Sequence, residues 1–232
     1  MHALVLAGGR GERLRPHTDS RPKPMVEVCG RPILAYHVDW LRLNGVSHVT
    51  FLCGYLHEVI ADYFGDGAGV GLKMDYLVEE TPLGRGGAIR RGLEALPGDV
   101  QEVIATNGDV LTTQPLAPML ELHRSKAGAM ATLLLAPLWS SFGVVDVSEE
   151  GTIRGFEEKP RLPYWINGGI YVLSRGITEW LPKVGDHETE TFPLLAAQHR
   201  LLGLRCGGFW RAVDTAKDLR EVGEAVGQGL LA

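Results

Sequence analysis

The chain has 232 residues, of which 45% are hydrophobic and 22% are charged, and its net charge is −5 with a pI of about 5.9. This acidic balance gives no global support for a nucleic-acid partner, and no apolar run approaches the ~20 residues of a membrane span. The short apolar start also lacks the basic flank of a signal peptide. We therefore expect a soluble, cytoplasmic protein with neither a nucleic-acid nor a membrane partner.

Strand and helix patterns alternate along the first 140 residues. The predicted strands are 2–7, 48–53, 72–78, 102–106 and 130–136, and the predicted helices are 32–44, 57–64, 86–96 and 116–127. Pro32 is expected at the first helical position, where its missing N–H costs nothing. The alternation predicts an α/β fold in which a mixed, mostly parallel sheet lies between two layers of helices.

From about residue 142 the pattern changes to short strands followed by helices. The predicted strands are 143–147, 153–158, 166–173 and 201–206, and the predicted helices lie near 174–181, near 190–199 and from about 215. No internal repeat or low-complexity linker interrupts the chain, so we expect a single domain over residues 1–232. The length and apolar content suffice for one substantial core.

A glycine-rich turn followed by basic residues comes directly after the first strand. The candidate ligand-binding residues here are Leu6, Ala7, Gly8, Gly9, Gly11, Arg13 and Lys23. Glycines let backbone N–H groups face a ligand, and consecutive N–H groups in a turn cradle anionic oxygens. No Lys-Ser or Lys-Thr follows as in a P-loop, and Leu14 occupies the place of the third Rossmann glycine. The segment predicts a nucleoside triphosphate site of another type.

The segment LAGGRGERLRP…RPKPM resembles the signature of the sugar-1-phosphate nucleotidylyltransferases, usually written GGxGTRLxPLT…PKPM. Glu12 replaces the usual Thr and His17 the usual Leu, while Arg13 and Lys23 match. The resemblance covers roughly residues 3–220 and implies a Rossmann-like nucleotidyltransferase fold of the GT-A-like type. It further implies a nucleotide-binding half over about 1–140 and a sugar-binding half over about 141–232. Because the sequence stops at Ala232, we expect no long C-terminal extension of the kind found in some larger members.

The strand predicted at 102–106 leads into Asn107-Gly108-Asp109. Ligands of parallel sheets bind at the carboxyl edge, and a carboxylate there suits Mg²⁺. An Asx turn that merely ends the strand is the alternative. The resemblance implies that Asp109 is a metal ligand.

A second metal carboxylate is expected near the C-terminus, where the family often has W-x-D-[IV]-G-T. In the matching stretch, Ala212 stands at the aspartate position and Asp214 at the glycine position. The stretch 208–215 instead resembles GFWxxxDT of the glucose-1-phosphate cytidylyltransferases, which implies that Asp214 is the second Mg²⁺ ligand. The alternative, not exclusive, is that Asp214 caps the final helix.

The segment 78–88 resembles the base-recognition loop of the family, with Glu79, Pro82 and Gly84 as candidate contacts. A carboxylate such as that of Glu79 is able to accept both adjacent N–H donors of guanine, although Glu79 is equally interpretable as a solvated strand end. PLGxxGA is most similar to guanylyltransferases acting on mannose or heptose 1-phosphates. This segment thus favours GTP, whereas the C-terminal segment favours CTP, and the base stays open.

Three later segments are similar to family motifs: FG(V/A) at 142–145, EKP at 156–160 and NGG or NAG at 166–170. The implied sugar-binding residues are Gly143, Glu158, Lys159, Asn167 and Gly168, with Lys159 holding the sugar phosphate. In isolation, a Glu-Lys-Pro on a strand is typical of a solvated surface.

These observations predict a Mg²⁺-dependent transfer of a nucleotidyl group from an NTP to a sugar 1-phosphate. The expected catalytic residues are Arg13, Lys23, Asp109 and Lys159. Three alternatives stay open: a cytidylyltransferase for another phosphorylated alcohol, a non-catalytic nucleotide-sugar sensor, and a nucleotide-sugar-dependent glycosyltransferase. Family members are often oligomeric, so a homo-oligomer is compatible with the sequence.

Overall fold

The structure, a computed structural model, describes residues 1–231 and contains thirteen strands and six α-helices within that range. The strands are β1 (His2–Leu6), β2 (Glu27–Val28), β3 (Arg31–Pro32), β4 (His48–Cys53), β5 (Lys73–Val78), β6 (Glu102–Asn107), β7 (Val110–Thr112), β8 (Ala131–Trp139), β9 (Val144–Val147), β10 (Ile153–Glu157), β11 (Arg161–Ser174), β12 (Leu201–Arg205) and β13 (Trp210–Ala212). The helices are α1 (Ile33–Leu43), α2 (His57–Phe64), α3 (Gly84–Ala95), α4 (Ala117–Ser125), α5 (Thr191–Ala197) and α6 (Ala216–Gly227). None of these helices combines the length and the apolar character that a bilayer crossing requires.

Seven strands form the central sheet in the order β12-β8-β11-β6-β1-β4-β5. Strand β11 runs antiparallel to both of its neighbours, β6 and β8, whereas the other four pairings are parallel. The prediction of a mixed, mostly parallel sheet is therefore confirmed. Because β6, β1 and β4 are mutually parallel neighbours, their carboxyl ends lie at one edge of the sheet.

Alternate residues of β1 show why helices cover both faces of the sheet. Ala3 and Val5 pack in one core cluster with residues of α1, α2 and α4, whereas Leu4 packs in another with residues of α3 and α5. Side chains of a strand point alternately to its two faces, and an apolar residue at every position of 3–5 therefore needs a helical layer on each side. The three-layer αβα arrangement follows from this pattern.

A third core cluster joins the C-terminal helix to the N-terminal segment. Val222 and Ala225 of α6 share this cluster with Leu14, Val26 and Val28. These residues are buried, and their removal from water stabilises the contact by the hydrophobic effect. The packing brings the residues just before α6 close to the loop that follows β1.

The structure differs from the predicted elements in the second half and at helix ends. The helix predicted near 174–181 is a 3-10 helix over Arg175–Glu179, and β11 begins at residue 161 rather than at 166. Pro32 lies in β3 and precedes α1, which begins at Ile33. The extra length of β11 comes from pairing of Arg161 with Trp139 across a register shift, and local periodicity does not reveal such a pairing.

Four short strands, β2, β3, β7 and β13, were not predicted from the sequence. Each has only two or three residues, too few to show a strand period. They exist because of their partners, since β7 pairs with β13 and β2 pairs with β3.

We expect the protein to lose stability in acid because two of its histidines, His37 and His187, are buried. Burial lowers the pKa of His37 to about 4, although its Nδ1 bonds to the Val110 carbonyl, and burial likewise lowers the pKa of His187 to about 4. In the unfolded chain these histidines become protonated below their ordinary pKa of 6.5, whereas in the folded chain they stay neutral down to about pH 4. The stabilisation is thus complete above pH 6.5 and is lost as the pH falls towards 4, by about 3 kcal/mol per histidine.

The measurement is the free energy of unfolding in urea between pH 7.5 and 4. His187 packs edge-on against the rings of Tyr171 and Phe192, so we expect His187→Phe to fold and to show a weaker loss in acid. The exposed His17 provides the control variant His17→Gln. An unchanged acid slope in His187→Phe would show that His187 does not contribute to it.

Candidate functional site

The largest group of sequence-predicted site residues lines one cavity of about 470 Å³ at the carboxyl edge of the sheet. Its walls are formed by Leu6, Ala7, Gly8, Gly9, Arg13, Lys23, Pro24, Leu52, Glu79, Pro82, Gly84, Arg85, Ala88, Asn107, Asp109, Ala212 and Asp214. The structure therefore brings together the N-terminal loop, the 79–84 segment and both predicted metal carboxylates. Of the predicted nucleotide-binding residues, Gly11 alone is not part of this lining.

Gly11 does not line the cavity but packs closely against Lys23. Its backbone adopts φ +65°, and a Cβ added there would come within 2.7 Å of the Cβ of Lys23. The hydroxyl of Thr18 also donates to the Gly11 carbonyl at 3.0 Å. A Cβ added to Gly9, in contrast, would meet no atom within 4 Å, because Gly9 borders open space. The two glycines therefore act differently: Gly11 permits packing, and Gly9 leaves room beside the cavity.

Lys23 lies between the two predicted metal carboxylates. Its Nζ donates to Asp109 Oδ2 at 2.5 Å and to Asp214 Oδ1 at 2.5 Å, and Arg13 donates to the same Asp214 oxygen at 2.9 Å. Burial lowers the pKa of Lys23, but the two carboxylates outweigh burial and raise it. The four side chains carry two positive and two negative charges, so the cluster is neutral in the absence of a ligand.

Backbone pairing places Asp214 beside Asp109. Strand β13 pairs with β7, and the Val213 N–H donates to the Asp109 carbonyl at 3.0 Å. The helix cap is Thr215, which forms a capping box with Asp218. The alternative role of Asp214 as the N-cap of α6 is therefore wrong, and its carboxylate is left for Lys23 and Arg13.

The carboxylates of Asp109 and Asp214 lie close enough together that one cation could contact both. Both bond to one ammonium group, so a cation at the Lys23 Nζ position is within reach of both. Residues 1–231 contain no group of three or more His, Cys, Asp or Glu side chains arranged for metal binding. Two hard oxygen donors fit Mg²⁺, which is usually held by one or two carboxylates together with substrate phosphates and water.

The 79–84 segment forms a second wall of the cavity. Glu79 Oε2 accepts a hydrogen bond from the Leu83 N–H at 3.0 Å, which fixes the loop and leaves Oε1 for another donor. The glycines of this segment allow close packing against another part of the chain: a Cβ on Gly84 would lie 2.4 Å from the Gly185 carbonyl oxygen. Gly84 therefore contacts the loop that contains Gly185.

Two residues of the lining with polar side chains, Arg85 and Asn107, were not selected as site residues from the sequence. Arg85 donates four hydrogen bonds to Asp186 and Glu188, and Asn107 Oδ1 is buried without a hydrogen-bond partner among the described residues. A signal for Arg85 was available, because a basic residue in the first turn of a helix is unfavourable unless acidic groups compensate it. Asn107 was visible as a polar residue at the end of a buried strand.

The predicted sugar-binding residues form two groups outside this cavity. Gly143 lies against Glu158, since a Cβ on Gly143 would be 3.1 Å from Glu158 Oε2, and Lys159 Nζ lies 3.3 Å from Glu158 Oε1. Lys159 borders a second cavity of about 410 Å³, together with Trp210 and Arg211. The three predicted residues are therefore brought together at the ends of the exposed strands β9 and β10.

Asn167 and Gly168 form the other group, on β11. The Asn167 amide donates to the Tyr171 hydroxyl at 2.9 Å and to Glu188 at 3.0 Å, and its oxygen accepts from the Gly169 N–H at 3.1 Å. The Gly168 carbonyl accepts from the Trp210 indole N–H at 2.8 Å. Both residues thus have contacts within the protein that fix this part of β11.

Comparison with known proteins identifies related sequences and folds. The sequence profile described as "Nucleotidyl transferase" matches residues 2–229. Mannose-1-phosphate guanylyltransferase of Mycobacterium tuberculosis is 38% identical over 224 residues, and mannose-1-phosphate guanylyltransferase 1 of Arabidopsis thaliana is 34% identical over 227 residues. The alignments cover 93% and 94% of this chain but 62% of each relative. The chain therefore spans less than two thirds of their length.

A solved structure shows the same fold. HddC from Yersinia pseudotuberculosis, crystallised with GMP-PN, superposes with a TM-score of 0.75 at 23% sequence identity. The superposition covers 97% of this chain and 99% of HddC. The α/β three-layer arrangement is therefore shared over nearly the whole of both chains.

The contrast between the two loop glycines gives a stability test. We expect Gly11→Ala to destabilise the protein by about 1–3 kcal/mol, because the new Cβ meets Lys23 and the backbone requires φ +65°. Gly9→Ala is the matched control, with an expected change within about 0.5 kcal/mol. Urea unfolding of both variants is the measurement, and equal stabilities would contradict the packing role of Gly11.

Proposed function

Because the chain belongs to the nucleotidyl transferase family, we propose that it transfers a nucleotidyl group from a nucleoside triphosphate to a sugar 1-phosphate. The observation that carries the proposal is the meeting of Lys23, Asp109 and Asp214 at one cavity. The two relatives described above are mannose-1-phosphate guanylyltransferases. We therefore propose GTP with mannose 1-phosphate or heptose 1-phosphate as the substrates.

In the proposed reaction, an oxygen of the sugar phosphate attacks the α-phosphorus of the nucleotide in line. The new P–O bond forms as the bond from the α-phosphorus to the bridging oxygen breaks, and pyrophosphate leaves with that electron pair. Arg13 stabilises the leaving phosphates, and Lys23 stabilises charge on the α-phosphate. Catalysis of this kind depends on positioning and electrostatic stabilisation rather than on a protein nucleophile.

Asp109 and Asp214 are proposed to hold Mg²⁺ with the phosphates of the nucleotide. A Mg²⁺ ion held there would neutralise part of the negative charge on the phosphates. Lys23 bonds to both carboxylates in the absence of a ligand, and its ammonium group would be available to the α-phosphate if a metal ion took its place between them. Its hydrogen bonds thus keep the two carboxylates together before the nucleotide arrives.

Lys159 is proposed to hold the sugar phosphate, and Gly143, Glu158, Asn167 and Gly168 to contribute to the sugar site. Lys159 lies beside the second cavity, whose lining includes Arg211, the chain neighbour of Ala212 in the first cavity.

Glu79 supports guanine as the base. Leu83 holds one carboxylate oxygen of Glu79, and Oε1 remains for the N1–H and N2–H₂ donors of guanine. None of the other bases presents a ring N–H beside an exocyclic NH₂ group, so the carboxylate favours guanine.

The test is pyrophosphate release with Mg²⁺ for GTP, CTP, UTP, dTTP and ATP, each paired with mannose, glucose and heptose 1-phosphates. We expect GTP to be the best nucleotide, and Glu79→Gln to lower kcat/KM for GTP by about tenfold or more, because the substituted NH₂ group opposes the guanine donors. Binding of each nucleotide is measured in parallel by calorimetry.

Glu80→Gln is the matched control, since Glu80 is the exposed neighbour with the same charge. An equal loss in both variants would contradict a specific role of Glu79. A productive CTP pair would instead favour the C-terminal resemblance as the guide to the base. Nucleotide binding without turnover of any pair would contradict the transferase proposal and favour a sensor.

The position of Lys23 predicts opposite effects on metal binding and on turnover. Lys23→Met should bind Mn²⁺ about tenfold more tightly than the unmodified protein, because the ammonium no longer competes for Asp109 and Asp214. The same variant should lose about 10²–10³ in kcat, since a positioned cation is missing in the transition state. Electron paramagnetic resonance measures Mn²⁺ binding without substrates, and pyrophosphate release measures turnover.

Lys73→Met, at an exposed position of β5 outside the cavity, makes the same charge change and is the control. Unchanged or weaker Mn²⁺ binding by Lys23→Met would contradict the assignment of the two carboxylates as the metal site.

A further inference from the structure

The guanidinium group of Arg85 is hydrogen-bonded to two carboxylates on a loop that lies 101 to 103 positions further along the chain. Its Nε donates to Asp186 Oδ2 at 2.9 Å and its Nη2 to the same oxygen at 2.5 Å, while Nη1 and Nη2 donate to the two Glu188 oxygens at 2.7 and 2.9 Å. Arg85 lines the 470 Å³ cavity, whereas Asp186 and Glu188 do not. The two acids are therefore connected to the cavity wall by their hydrogen bonds to Arg85.

These contacts exclude Arg85 as a simple phosphate-binding cation. A guanidinium has five N–H donors, and the four hydrogen bonds leave one Nη1–H for a ligand. One positive charge facing two negative charges gives this wall a net negative charge. Burial lowers the pKa of Arg85, but the bonds to Asp186 and Glu188 outweigh it and raise the pKa. Arg85 thus stays charged and offers a fixed donor to a neutral part of a ligand.

Glu188 connects this wall to the strand that carries a predicted sugar contact. Besides Arg85, Glu188 Oε1 accepts from Asn167 Nδ2 at 3.0 Å and from the Tyr171 hydroxyl at 3.2 Å. Asn167 and Tyr171 belong to β11, and Tyr171 is fully buried. A single carboxylate oxygen therefore contacts side chains from the 84–88 helix start and from β11.

The backbones of the two segments are held together as well. The Gly86 N–H donates to the Gly185 carbonyl at 2.9 Å, and the Gly185 N–H donates to the Leu83 carbonyl at 2.9 Å. A Cβ on Gly87 would lie 2.5 Å from the Lys183 carbonyl oxygen, so the approach depends on glycine. The loop that carries Glu188 is therefore held by its backbone, and the Glu188 carboxylate bonds to both Arg85 and Asn167.

We propose that Arg85 and Glu188 are positioning residues that couple the nucleotide site to the sugar site. This inference rests on the proposed function for the identity of the two ligands. The Glu188 carboxylate orients Arg85 in the nucleotide cavity and Asn167 on β11 at the same time. A correctly bound nucleotide and a correctly bound sugar phosphate therefore depend on one carboxylate that lines neither the cavity nor the predicted metal site.

The test compares E188Q, R85M and the double variant. E188Q retains the size of the side chain but replaces an accepting oxygen with a donor NH₂ group, so we expect KM to rise about tenfold for both the nucleotide and the sugar phosphate. The double variant should be no worse than the more severe single variant, because both remove the same connection. Hydrogen exchange without ligands should show faster exchange in E188Q at both 84–88 and 167–171.

R90M is the matched control. Arg90 lies on the same helix and bonds to Glu94 and to the Leu181 carbonyl, outside the cavity. We therefore expect R90M to loosen α3 but to leave the KM values for the nucleotide and the sugar phosphate unchanged. The coupling is overturned if the effects of R85M and E188Q simply add, if R90M reproduces them, or if exchange changes in only one of the two segments. If the unmodified protein turns over no substrate pair, the proposed function fails, and the exchange measurement still decides the coupling.

Discussion

The ammonium group of Lys23 is the point on which the site depends, because it bonds to carboxylates 86 and 191 positions away in the chain. Each partner reaches it by a different structural route. Asp109 follows β6 at the carboxyl edge of the sheet, Asp214 follows the β7–β13 pair, and Gly11 leaves the space that Lys23 occupies. Packing of α6 on the N-terminal segment keeps the residues just before α6 next to the segment that carries Lys23. A loss of any one of them would separate the cation from its carboxylates.

The charges divide the cavity into two chemically different walls. At one wall, two cations and two carboxylates balance, and a bound divalent metal ion would give that wall a net positive charge. At the other wall, Glu79 and the Arg85–Asp186–Glu188 group carry excess negative charge, which disfavours phosphates. The nucleotide proposed above fits this division in one orientation, with its phosphates near Lys23 and its donor-rich base near Glu79.

Much of the fold was predictable from the sequence because long elements carry their own pattern. The helix 57–64 and the strand 48–53 have the predicted bounds, and Lys23, Glu79, Asp109 and Asp214 line one cavity as a shared site requires. The short strand β13 lacked such a pattern, although it decides where Asp214 lies. Lys159 and Asn167 were selected on resemblance, and their protein contacts, with Glu158 and with Glu188, depend on residues that no local motif connects to them.

The sequence by itself determined the alternation of strands and helices and the residue types needed for phosphate and metal chemistry, since periodicity and side-chain chemistry are local properties. The tertiary structure alone decided that the Asp214 carboxylate meets Lys23 and Arg13. It also decided that Arg85 meets Glu188, 103 positions away. Such contacts depend on how the sheet, the short β7–β13 pair and the glycine-mediated approach of two loops fold together, and therefore on distances that are set only when the whole chain has folded.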